Sequence, residues 1–204
     1  MVVIMEITDT DIQPSKITYI EKVFPEIQKM IRQVSVNRFI NISGIDALKV
    51  IDHKEPDAFI YGSNQTIILV SSIDARITFK SHFALKNITG IFKDNIKTTN
   101  KKKSYALDLF QEYANLTAGG IAQQLNHAEI LCGISLPIST SGFDELISSD
   151  VLRSSQYHDY WQITGTNFLF TCTAMIEVFE YSRLDKFKFD SSSLNNTSPE
   201  LEIF

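Results

Sequence analysis

The sequence predicts an α/β protein, more narrowly an α+β one, with a mostly antiparallel sheet and long helices packed on it. Three observations carry that expectation. From Asp57 onward, runs rich in β-branched and aromatic residues are bounded by Gly, Asn, Ser and Asp, the pattern of antiparallel hairpins. Between Ser104 and Asn126, the residues Ala106, Leu109, Phe110, Tyr113, Leu116, Thr117, Gly120 and Ile121 recur at a period of 3.6 and gather on one broad face. Near the start of the chain, Ile17, Ile20, Phe24, Ile27 and Ile31 repeat at three- and four-residue intervals, a second helical stripe.

Taken in order, Val2 to Ile7 alternates weakly and predicts a short strand. Pro25 interrupts the first helical stripe, so a kinked or two-piece helix is expected over 15–33, with the ring in the first turn of its second piece. RFINIS (38–43) and ALKVI (47–51) read as strands. AFIYG (58–62), a turn at Ser63–Asn64, TIILVSSI (66–73) and ARITFKS (75–81) follow as hairpin strands. FALKNITGIF (83–92) reads as a short helix, and the polar KDNIKTTNKKK (93–103) as an exposed loop. Ser104 is the expected N-cap of the main helix, which would keep Lys101, Lys102 and Lys103 away from the positive end of its dipole. Beyond Asn126 come EILCGISLPIST (129–140) as a strand, a turn around Ser141–Gly142 and the segment FDELISSDVL. YHDYWQITG and TNFLFTCTAMIEVF then form a closing hairpin turning at Gly165, with Trp161 in the core. Residues 1–189 are expected to form one domain, and the Ser/Asn-rich 190–204 a flexible tail.

Composition excludes several classes of function. Net charge is −5, with 19 Lys and Arg against 24 Asp and Glu, so there is no cationic excess to neutralise nucleic-acid phosphates or anionic lipid. No apolar run approaches the length of a membrane span, and MVVIMEITDTD has no basic region and early acids, unlike a secretory signal. A cytoplasmic protein is expected. Cys132 and Cys172 lie far apart with no Cys-x-x-Cys, which fits buried free thiols. His53, His82, His127 and His158 show no metal-ligand spacing. No phosphate-cradling glycine loop and no Gly-x-Ser-x-Gly elbow is present, so no cofactor or metal is expected on this chain.

The main helix carries a second stripe opposite its apolar one. Asp108, Glu112, Asn115 and Gly119 fall at i, i+4, i+7 and i+11, which stacks a carboxylate and a carboxamide on the exposed side. Ala118, Gly119 and Ala122 beside them are small, so another protein's surface can approach. The Glu-x-x-Asn pair alone has little weight, because such a spacing arises about once by chance in a chain of this composition. The helix interior adds weight: Asn115 and Gly119-Gly120 stand where Ala would be more stable by roughly 0.5–1 kcal/mol per site.

From Asp94 to Phe179 the chain resembles the CheC/CheX/FliY-type phosphatases of the chemotaxis response regulator. Members carry an acidic or Ser residue, three positions, Glu, two positions, Asn, and a Pro a little over twenty positions on. Asp108, Glu112, Asn115 and Pro137 match, with the Asn-to-Pro spacing one residue shorter than usual. Nothing N-terminal to Glu26 repeats the Glu-x-x-Asn pattern on a helix, so the chain resembles the single-site CheX-like form and not the two-site CheC-like one. The resemblance implies a CheC-like fold and hydrolysis of the phospho-aspartate of a CheY-like receiver domain. In that role Asn115 orients the attacking water, Glu112 binds the receiver's lysine, Ala118 and Gly119 let the receiver come close, and Asp108 either adds to partner binding or simply supports the helix. The Mg²⁺ would be the receiver's own. Family members can also dimerise through sheet edges, so a homodimer is compatible with the resemblance. The alternative is a non-catalytic CheX-like interaction or dimerisation domain in signalling.

Overall fold

A computed structural model describes residues 20–52, 62–92, 98–141 and 155–196, apart from the side chains of Ser193, Asn195 and Asn196. After a 3-10 turn at Ile20–Lys22, helix α1 runs over Pro25–Ser43. Pro25 opens the helix instead of kinking it, as suits a residue with fixed φ and no N–H to satisfy. The helix continues through RFINIS, the segment expected as a strand. Ile27, Met30, Ile31, Val34 and Phe39 are all buried along one side, and this tertiary burial overrides the local β preference of Ile40 and Ile42. Gly44 ends α1 in the left-handed region at φ 68, its N–H donating to the Ile40 carbonyl.

The strands are β1 (Lys49–Asp52), β2 (Asn64–Ser71), β3 (Ala75–Phe83), β4 (Gly133–Ile134), β5 (Ile138–Ser141), β6 (Gln156–Gly165) and β7 (Phe168–Val178). They form one antiparallel sheet in the order β1–β6–β7–β3–β2, with β4 and β5 both paired to the outer side of β2. The β6–β7 hairpin thus lies mid-sheet instead of closing it. Its turn is Thr166–Asn167, Asn167 taking φ 59, while Gly165 is the last residue of β6, paired with Phe168, where a Cβ would lie 2.3 Å from the Phe168 ring. The region 83–92 is two 3-10 turns, Leu85–Asn87 and Thr89–Ile91, not one helix. The expected strand over 129–140 is broken into β4 and β5 at Ser135–Pro137.

Helix α2 spans Thr99–His127. Its N-cap is Thr98, whose side chain accepts from the Lys101 N–H, so Ser104 lies inside the helix and the three lysines occupy its first turns. Lys102 offsets part of that electrostatic cost by placing Nζ 5.5 Å over the Phe92 ring.

Between helices and sheet lies an aromatic core. Phe110 stacks on Phe83 at 3.9 Å, and Tyr113 meets Phe39, Phe79, Phe110 and Phe170 edge-on at 5.5 to 6.1 Å. Trp161 is fully buried beneath the Arg32 guanidinium. Arg32 grips Asp159 with two nitrogens, at 2.7 and 2.8 Å, and also pairs with Asp52, which ties α1 to β6 and β1. Leu184, Phe187, Phe189 and Leu194 join the core, so packing continues past residue 189 to a 3-10 turn at Ser191–Asn196. Val2–Ile7, most of AFIYG, FDELISSDVL and 197–204 lie outside the described residues. Among the described residues no helix is long and apolar enough to cross a membrane.

Candidate functional site

The rotation of α2 about its own axis decides what the helix offers to solvent, and the aromatic core fixes that rotation. Phe110, Tyr113, Ala114, Thr117 and Ile121 face inward. The Tyr113 hydroxyl reaches the Cys172 thiol on β7 at 3.4 Å, and burial pushes the Tyr113 phenol well above its ordinary pKa and the thiol up to about 12. With Tyr113 held below, Asp108, Glu112 and Asn115 are exposed on the opposite side, and Gly119 is half-exposed in line with them. At a rise of about 1.5 Å per residue, Glu112 and Asn115 stand ~5 Å apart along the axis, and the ridge from Asp108 to Gly119 is about 17 Å long. Among the described residues, neither the Glu112 carboxylate nor the Asn115 carboxamide is engaged in a hydrogen bond or ion pair within the chain.

The two adjacent glycines have different surroundings. A Cβ on Gly120 would lie 2.7 Å from Val34 Cγ1, so Gly120 is there to let α1 and α2 approach. A Cβ on Gly119 would meet nothing within 4 Å. Among the described residues no packing requires Gly119, which leaves open room beside Asn115.

Ala118 differs from expectation. It is fully buried in the core with Ala122 nearly so, because α2 is covered on its flank as well as beneath: it touches β2, β4 and β5 in addition to α1. Ala118 is a packing residue and is unavailable to a partner. Sequence reasoning also missed Leu131, Ile134 and Leu136, which follow α2 in the chain and are 78%, 46% and 84% exposed. The signal for them was the absence of any charged residue from Ile130 to Gly142. Among the described residues no group of three or more His, Cys, Asp or Glu is placed to hold a metal ion. The site therefore offers a carboxylate, a carboxamide and an open position on a rigid ridge: it can present polar groups to another molecule's reactive centre.

No family model matches the sequence, and no curated protein matches it either. Solved structures match in shape. CheX of Vibrio vulnificus superposes with a TM-score of 0.60 at 14% identity, covering 74% of this chain and 99% of its own. A CheC-like superfamily protein of Shewanella sp. PV-4 gives 0.58 at 15% identity, with 74% and 97% covered. A chain of the CheX–CheY–BeF3–Mg²⁺ complex of Borrelia burgdorferi gives 0.56 at 13% identity, with 73% and 96% covered. At these identities the likeness is one of fold, and nearly the whole of each relative falls within about three quarters of this chain. The antiparallel sheet and the two helices laid on it accordingly give the chain the CheC/CheX-type fold.

Proposed function

We propose that this chain is a phosphatase that hydrolyses the phospho-aspartate of a CheY-like receiver domain. The observation that carries the reading is the exposure of Glu112 and Asn115, one turn apart on a rigid ridge with open space at Gly119, in a chain with the CheX-type fold. The Borrelia CheX structure was solved in complex with CheY, BeF3 and Mg²⁺, which supports a receiver as the partner.

Phosphoryl transfer needs positioning and charge stabilisation more than covalent help from the enzyme. The receiver supplies Mg²⁺ and a lysine at its own acyl phosphate. Asn115 supplies what that pocket lacks: its carboxamide holds a water in line with the phosphorus without acting as a base. The water oxygen bonds to phosphorus as the bond from phosphorus to the aspartate oxygen breaks. The aspartate leaves as carboxylate, and the water's protons depart with inorganic phosphate and solvent. Glu112 pairs with the receiver's lysine and sets the docking register.

Asn115→Ala tests the reading. In an assay of phosphorylated-receiver half-life, the variant is expected to lose about 100-fold in acceleration. Its stability should stay within about 0.5 kcal/mol of the parent, since the side chain is exposed. An unmodified chain that leaves every phosphorylated CheY-type receiver's half-life unchanged excludes the activity.

A further inference from the structure

We propose that the hook running from Leu131 through β4 to Ser135–Pro137 is an apolar docking surface for the same receiver, alongside the α2 ridge. This rests on the receiver reading above. The hook starts at the C-terminal end of α2, where the Cys132 N–H donates to Asn126 Oδ1 at 3.1 Å, and touches the helix again through β4. Ser135 exchanges hydrogen bonds with Leu69 of β2, its N–H donating to the Leu69 carbonyl at 2.9 Å and its Oγ accepting from the Leu69 N–H at 3.0 Å. Next to Leu69, Ile68 pairs with Phe79, whose ring centre is 5.7 Å from that of Tyr113, two residues before Asn115. Ile134 pairs with the core-facing Val70, so it is on the helix side of the sheet. Ile138 pairs with Ile67 on the opposite side and is not part of this surface.

Area favours the receiver as occupant. A ridge about 17 Å long and about 10 Å wide presents roughly 200 Å². A specific protein interface covers about 800 Å² on each partner. A receiver seated on Glu112 and Asn115 must therefore extend over a flank of α2. On α1 the exposed residues Gln33 and Asn41 are polar, whereas beyond Glu129 the other side exposes Leu131, Ile134 and Leu136, with no charged residue from Ile130 to Ser141. The buried centre of a specific interface is more apolar and poorer in charge than its rim. The hook fits that part, and the receiver surface it meets should be apolar and uncharged.

The test uses the full chain carrying Leu136→Asp or Leu131→Asp, each in an Asn115→Ala background so that affinity is read apart from turnover. The probe is a CheY-type receiver loaded with BeF3 and Mg²⁺. The Kd is expected to weaken about tenfold for both variants, with unchanged thermal midpoints, and in the catalytically intact background KM should rise about tenfold while kcat holds within twofold. If both variants keep the parental Kd while Glu112→Ala weakens it, the receiver reading stands and the hook is not part of the interface. If sedimentation shows a dimer that Leu136→Asp converts to a monomer, the hook's occupant is a second copy and the receiver assignment is overturned. If the unmodified chain neither binds nor dephosphorylates any such receiver, both readings fall together.

Discussion

Gly120 and Val34 meet at a helix crossing so close that a single added methyl group would sit 2.7 Å from the valine, while at neighbouring Gly119 the same methyl would touch nothing. Gly120→Ala is therefore expected to destabilise the fold by about 1–3 kcal/mol through overpacking. Gly119→Ala is expected to stabilise it by about 0.5–1 kcal/mol through helix propensity. Urea unfolding checks both. If Gly119 is kept open for a docking partner, the more stable variant should also be the poorer phosphatase.

Glu112 is assigned to docking, so its loss should appear in affinity. Glu112→Ala is expected to raise KM for phosphorylated receiver about tenfold with kcat nearly kept, and the difference should shrink at high salt as the parental ion pair is screened. Steady-state kinetics at two ionic strengths would show it.

Arg32 and Asp159 bind α1 to the sheet through a two-nitrogen grip, and the Asp159 side chain is 2% exposed. Arg32→Ala leaves that carboxylate buried without its cation, holding only the hydrogen bond from Gln28 Nε2, an expected loss of about 3–5 kcal/mol. Denaturant titration of Arg32→Ala against Arg32→Ala/Asp159→Asn should show the second substitution recovering part of the loss.

His82, on β3, lies on the sheet face away from the helices with Nε2 3.5 Å from Thr173 Oγ1. Burial, with the Lys80 cation adding to it, pulls its pKa from 6.5 down to about 4. The unfolded chain thus takes up this proton at higher pH than the native one. The contribution to stability is complete above pH 6.5 and is lost as the pH falls through about 4. His82→Gln should flatten the decline in unfolding free energy across that window, measured by denaturant titration at a series of pH values.

Periodicity revealed α2 and its two stripes because core burial and solvent exposure repeat with the helical turn, and Glu112, Asn115 and Gly119 were placed on the correct face. Ala118 was misplaced because helical spacing records that a residue is small and off the main apolar stripe. It cannot record that α2 is also covered along its flank, where it touches β4 and β5. RFINIS failed for a similar reason: Ile40 and Ile42 prefer strands locally, yet Phe39 completes a buried stripe begun at Ile27. The main strands β2, β3, β6 and β7 were legible, their β-branched runs being bounded by turn residues. Their order was not, since nothing in the β6–β7 hairpin's own sequence says that β1 and β3 flank it. The cap at Thr98 was missed because Ser104 and Thr98 are both capable of capping, and only the Lys101 N–H distinguishes them.

The interruption at Ser135–Pro137 has a consequence for how this protein behaves at high concentration. A long, uninterrupted outer strand beside β2 would be a template on which unfolding chains could stack into fibrils. Splitting that rim into pieces of two and four residues, with a proline between them that has no N–H to offer, leaves too little regular backbone to seed such growth. Along this rim the chain can thus expose leucine and isoleucine with little continuous backbone beside them for another strand to pair with.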